Sequence, residues 1–261
     1  MSWSLAGKIY QSRLLLGTAG FPDLEKLSQA ITLSGCEICT VAVRRVNLET
    51  HSESGLLPLL KSHGLTILPN TAGCYTAKEA ELTTELASSA LQTKLVKLEV
   101  IQDPYNLLPN GPELLKAAKT LVAKGFAVMA YALDDPLLCQ ELFEIGCVAV
   151  MPMGSPIGSG QGILHPKTIE EIRKRVKVPL IIDAGIGTAS DVAKSMELGC
   201  DAVLTNTAIA KAKDPAKMAQ SMKLAIEAGQ LAYAAGRIPE KNYATPSSPM
   251  EGRIAFGERG K

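Results

Sequence analysis

The chain has 261 residues, 46% of them hydrophobic, with 27 basic against 26 acidic residues and a formal net charge of +1. That length and apolar content suit one sizeable core, and the charge balance supplies no overall field to draw the protein to nucleic acid or to an anionic membrane. No stretch approaches the roughly 20 apolar residues of a membrane span, and the opening MSWSLAGKIYQSRLLLG lacks the apolar region of a signal peptide, so the expectation is a cytoplasmic protein.

Short runs rich in Val, Ile and Leu alternate with longer stretches of helical periodicity, the pattern of repeated βα units on a parallel sheet. In chain order, residues 5–11 predict a small hairpin or a plug. A strand over 14–17 leads to a helix from near Asp23, a strand over 38–43 to a helix from near Gly55, and a strand over 66–69 to a helix from near Ala77. A strand over 95–100 leads to a helix from near Gly111, 127–132 to one from near Asp135, and 148–152 to one from near Pro166. The last two units pair a strand over 180–183 with a helix from near Ala189, and a strand over 202–205 with a helix from near Asp214. Eight such units predict a TIM (β/α)8 barrel, a closed parallel sheet with surrounding helices, because an open doubly wound sheet would need fewer strands and a topological switch point. The whole chain, 1–261, reads as one barrel domain with a mobile tail over about 237–261, a stretch of prolines, serines and charges that would order on binding.

Six cysteines at 36, 39, 74, 139, 147 and 200 are scattered, unlike the framework of a small secreted domain, and reduced thiols are expected. Cys36 and Cys39 form a lone CxxC at the entry to the second strand, where alternation would point them to opposite faces as packing residues. The three histidines lack zinc spacing, so no metal is implied.

A barrel keeps its active site at the C-terminal ends of its strands. In the fourth strand, Leu95-Val96-Lys97-Leu98-Glu99-Val100, period-two alternation sends Val96, Leu98 and Val100 toward the helices, and Lys97 and Glu99 into the barrel. A charged pair there is costly unless partnered or used. Burial lowers a lysine pKa and frees the amine to attack a ketone, while a nearby ionised Glu99 opposes that lowering. A buried ion pair that merely fills the barrel is the competing reading.

Asp183 ends the seventh strand just before Ala184-Gly185-Ile186-Gly187 and suits a second acid/base, or alternatively a turn acceptor ahead of the next helix. The amides of those glycines can approach an anion, and a phosphate site after strands 7 and 8 is frequent in barrels. Two more loops surround the same sector: Gly154-Ser155-Pro156-Ile157-Gly158-Ser159-Gly160-Gln161-Gly162 after strand 6, and Asn206-Thr207 after strand 8. Arg44-Arg45, ending strand 2, suits a carboxylate or a partner's acidic tail, and equally a solvated rim.

These residues, together with Leu16-Gly17-Thr18, Val43-Arg44-Arg45, Pro69-Asn70-Thr71-Ala72-Gly73-Cys74, Met151-Pro152-Met153, Asn206-Thr207-Ala208-Ile209-Ala210 and Ser247-Ser248-Pro249, run in order along nearly the whole chain. In them the sequence resembles bacterial thiazole synthase, the barrel subunit that makes the thiazole phosphate of thiamin. The resemblance implies that Lys97 forms a Schiff base with 1-deoxy-D-xylulose 5-phosphate, with Glu99 and Asp183 as general acids and bases. It implies that Gly158, Ala184, Gly185, Asn206 and Thr207 bind the sugar phosphate, chiefly through backbone amides. It also implies sulfur from the C-terminal thiocarboxylate of a ubiquitin-like sulfur-carrier protein, dehydroglycine from a separate dehydroglycine-forming enzyme, a homotetramer, and no redox cofactor or metal. Alternatives are another Schiff-base barrel acting on a sugar phosphate, of class I aldolase or pyridoxal-phosphate synthase type, and a non-catalytic scaffold for the carrier.

Overall fold

A computed structural model of the protein describes residues 2–42 and 55–248. The eight foreseen strands lie at β3 (Leu14–Gly17), β4 (Ile38–Ala42), β5 (Thr66–Asn70), β6 (Leu95–Leu98), β9 (Ala127–Ala132), β10 (Ala149–Pro152), β11 (Ile181–Asp183) and β12 (Ala202–Thr205). They form one parallel sheet in the order β10-β9-β6-β5-β4-β3-β12-β11. Parallel bridges Val150–Leu180 and Met153–Asp183 join β10 to β11 and close the barrel.

Helices α1 (Leu24–Ser34), α2 (Leu56–Ser62), α3 (Ala77–Leu91), α4 (Gly111–Ala123), α5 (Pro136–Ile145), α6 (Pro166–Arg175), α7 (Ala189–Glu197) and α9 (Pro215–Ala235) follow the strands in turn. Several start where a side chain satisfies an orphan amide. The Asp23 carboxylate accepts from Lys26 N at 2.7 Å, Asn110 from Glu113 N, Asp135 from Leu137 N, and Asp214 from Lys217 N. Pro112, Pro136, Pro166 and Pro215 sit in the first turns, where a missing N–H costs nothing.

Alternation along the strands sorts the core into two layers. Leu14, Leu16, Val96, Leu98, Val128, Ala130 and Val203 face outward, packed with helix residues such as Leu27, Leu114, Leu121 and Ile226. Leu15, Ile38, Leu68, Met129, Met151, Ile181, Ala202 and Leu204 face inward. Trp3, Leu5 and Tyr10, from the antiparallel hairpin β1 (Trp3–Leu5) and β2 (Lys8–Tyr10), join this inner cluster, so the N-terminal hairpin acts as a plug. Burying a large aromatic there is worth several kilocalories per mole, about 3–5 for Trp→Ala.

Three details depart from expectation. β6 stops at Leu98 rather than at residue 100, and a short antiparallel hairpin, β7 (Ile101–Asp103) with β8 (Leu108–Pro109), follows it. A four-residue helix, α8 (Thr207–Ala210), follows β12. Cys36 and Cys39 do not face opposite ways: their sulfurs are 3.8 Å apart in the outer layer. The strand begins at Ile38, so Cys36 belongs to the turn after α1, and strand alternation does not apply to it.

Residues 237–248 carry neither helix nor strand and are exposed. Among the described residues no helix is long and apolar enough to cross a membrane.

Candidate active site

The C-terminal ends of the strands enclose a cavity of about 470 Å³. Lys97, Glu99, Asp183, Gly158, Ala184, Gly185, Asn206 and Thr207 all line it, so residues singled out on four strands and their loops meet in one place. Arg44 and Arg45 lie outside the described residues. Polar residues that sequence reasoning left unassigned, Thr40, Asn70 and Thr205, line the same cavity. Asn70 and Thr205 each end a barrel strand, the positional signal shared by Asp183, whereas Thr40 lies in the middle of β4.

Three charged side chains form the floor. Lys97 is 5% exposed, Glu99 4% and Asp183 3%. The Lys97 ammonium lies 3.1 Å from Glu99 Oε1 and 2.5 Å from Asp183 Oδ2. The link to Asp183 crosses the barrel interior, because β6 and β11 are separated by β9 and β10 in the sheet. Burial works to lower the Lys97 pKa, but the charges and hydrogen bonds of Asp183 and Glu99 outweigh it and raise the value above the ordinary lysine range. The resting amine is therefore a cation, and a carboxylate must relieve it of a proton before it can act as a nucleophile. Burial raises the Asp183 carboxyl, with Lys97 opposing, which makes Asp183 a better proton acceptor than an ordinary aspartate.

Tyr131 on β9 supports this group: its ring centroid is 5.5 Å from Lys97 Nζ. Burial, then the charges of Asp183 and Glu99, push its phenol well above the ordinary tyrosine value, so the hydroxyl keeps its proton. Its oxygen is buried and has no hydrogen-bond partner among the described residues.

Close-packed glycine loops also line the cavity. Ala184 and Gly185 turn the chain sharply after β11 with φ of 71° and 84°. A Cβ on Gly185 would run into the Ser155 backbone and hydroxyl, and one on Gly187 would stand 2.5 Å from Gly160 O. Gly162 N donates to Gly185 O at 2.8 Å, and the Asp191 carboxylate accepts from Gly187 N and Thr188 N at 2.9 and 3.1 Å. The two loops thus brace each other. The Asn206 side-chain amide, oriented with its nitrogen toward Ala19 O and Gly17 O at 2.7 and 3.2 Å, ties the end of the eighth barrel strand to the end of the first. That leaves the backbone amides at 206–207, rather than the Asn206 side chain, for an anion.

Fold and site define a barrel with a buried lysine held by two carboxylates beside backbone loops suited to an anion. The family described as thiazole biosynthesis protein ThiG matches residues 4–249. A thiazole synthase of Paramagnetospirillum magneticum is 57% identical over 253 residues, 97% of this chain and 78% of that protein. One from Geotalea uraniireducens is 55% identical, covering 96% of each chain. Among solved structures, the Amycolatopsis orientalis BexX/CysO complex matches with a TM-score of 0.82 at 29% identity, over 92% of this chain and 98% of that one. A Pyrococcus furiosus thiamine phosphate pyrophosphorylase, TM-score 0.58 at 14% identity over 84% of this chain and 96% of that one, shares the fold alone. The chain belongs to the thiazole synthase family and is an enzyme of thiamin biosynthesis.

Proposed function

We propose that the cavity holds 1-deoxy-D-xylulose 5-phosphate as an imine on Lys97. The observation that carries this reading is a buried lysine amine, 2.5 and 3.1 Å from two carboxylates, in a cavity that glycine loops also line. The phosphate takes backbone amides of Gly158, Ala184, Gly185, Asn206 and Thr207. Lys97 gives a proton to a carboxylate and attacks the ketone carbon; a C–N bond forms and the carbonyl oxygen departs as water. The imine then acidifies the protons on adjacent carbons, and Glu99 and Asp183 move them as the sugar carbonyl migrates and a further water is lost.

Sulfur comes from the thiocarboxylate tail of a ubiquitin-like carrier, and the remaining carbon and nitrogen from dehydroglycine, made by a separate enzyme. Support for a protein partner is the similarity to BexX, solved together with CysO. The barrel works as one domain across the chain, as a cytoplasmic homotetramer, without metal or redox cofactor.

Reconstitution tests the reading. Wild-type protein given the sugar phosphate, dehydroglycine and thiocarboxylated carrier forms the thiazole phosphate carboxylate, and omission of the thiocarboxylate abolishes product. Cleavage of the sugar without carrier would point to an aldolase, and carrier binding without product from any combination to a scaffold.

A further inference from the structure

The fourth barrel strand leaves its regular ladder at the place where its charged residues stand. β6 ends at Leu98, and the register of β5 against it consists of the single pair Asn70–Lys97. From there Thr71 takes over. Its backbone N–H donates to Lys97 O at 3.2 Å. Its hydroxyl donates to Glu99 O at 2.7 Å and accepts from Glu99 N at 2.7 Å. A threonine hydroxyl has one proton, so this pair of bonds defines its rotor: the proton goes to the carbonyl and the lone pair faces the amide. Thr71 is 1% exposed, and bulk water cannot replace it.

One residue therefore holds the backbone on both sides of Leu98. Main chain meets main chain at Lys97, and a side chain stands in for the missing ladder bonds at Glu99. With the hydroxyl gone, two buried backbone groups of Glu99 lose their partners, and the strand end must move to find others. The Glu99 carboxylate, now 3.1 Å from Lys97 Nζ, would move with it. A misplacement of about 1 Å can cost on the order of 100-fold in rate.

We infer that Thr71 is a positioning residue that acts through Glu99 on the proton-transfer step, while leaving the Lys97 amine able to form its adduct. The inference rests on the proposed roles of Lys97 and Glu99. It separates two duties at one strand end: Lys97 is held by main-chain pairing, with β9 and with Thr71 N–H, and the Glu99 backbone by the Thr71 side chain.

The experiment compares wild type, Thr71→Val, Thr71→Ser, Glu99→Gln and the Thr71→Val/Glu99→Gln pair with 1-deoxy-D-xylulose 5-phosphate in heavy water. Borohydride trapping reads the adduct at Lys97, and deuterium uptake at the carbon beside the imine reads proton transfer without needing sulfur. Thr71→Val is expected to trap adduct with near wild-type affinity for the sugar, while deuterium uptake falls roughly tenfold or more. Thr71→Ser restores uptake, and the double variant is no slower than Glu99→Gln, because both changes strike the same group. Wild-type uptake in Thr71→Val, failure of serine to rescue, or losses that multiply in the double variant would each overturn the inference. So would loss of the folded protein in both Thr71→Val and Thr71→Ser, which would make Thr71 a structural staple. Absence of a trapped adduct in wild type would instead defeat the reading of the site on which the inference stands.

Discussion

Asp183 Oδ2 approaches the Lys97 ammonium to 2.5 Å, closer than Glu99 Oε1 at 3.1 Å, although Glu99 is on the same strand and Asp183 is three strands away across the barrel. The closest charge partner of the lysine is thus supplied by closure of the barrel. Removing that charge should lower the Lys97 pKa and free the amine at lower pH. In Asp183→Asn, the midpoint for borohydride trapping against pH should move down by about one unit or more. An unchanged midpoint would assign control of the lysine to Glu99 instead.

The same cluster makes a prediction for stability. Lys97→Met would leave two buried carboxylates facing each other, and breaking a buried ion cluster in this way costs about 3 kcal/mol. Burial already raises the Asp183 carboxyl, and loss of the opposing Lys97 charge would raise it further. The deficit should be largest where Asp183 is ionised, at neutral and alkaline pH, and should shrink as pH falls and it takes up a proton. Denaturant unfolding of both proteins at several pH values checks this; a deficit that grew on acidification would contradict it.

The glycine loops predict a ranking. Gly185→Ala places a methyl against the Ser155 backbone at a φ of 84°, whereas Gly158→Ala, at a φ of 74°, meets its nearest neighbour, Thr207 Oγ1, at 4.0 Å. Both carry the left-handed penalty of about 1–2 kcal/mol, but only Gly185→Ala adds a clash. Sugar-phosphate affinity, measured by titration calorimetry, should fall further for Gly185→Ala. Equal losses would show that backbone strain alone sets the effect.

Cys36, Cys39, Cys139, Cys147 and Cys200 are buried free thiols. A hydrogen bond from Cys39 holds the Cys36 thiol below its ordinary value, while burial pushes Cys147 up to about 12. Brief alkylation followed by peptide mapping should modify Cys36 before Cys139, Cys147 or Cys200. Prior labelling of any of those three would refute the ordering.

Much of the architecture was legible in the chain because barrel strands alternate. Leu15 and Leu16 fall into different layers, and Lys97 and Glu99 share the interior face, on a count of two. The glycine loops were legible as loops, but their mutual bracing, Gly162 to Gly185 and Gly187 against Gly160, is a contact between distant segments that no local pattern carries. The hairpin at Ile101–Pro109 carries no sequence signal, because strands of three and two residues are too short to show a period. Thr71 was visible only as one residue of a motif; its two bonds to Glu99 exist because β5 and β6 end side by side. Strand alternation cannot place the Cys36–Cys39 contact, because Cys36 lies two residues before the strand begins.

The most direct test of the account is intact-protein mass spectrometry after incubation with 1-deoxy-D-xylulose 5-phosphate and borohydride, wild type beside Lys97→Ala. The account predicts one reduced sugar-phosphate adduct per wild-type chain and none on Lys97→Ala. A wild type that binds the sugar phosphate yet gives no adduct, or an adduct that persists in Lys97→Ala, would contradict it.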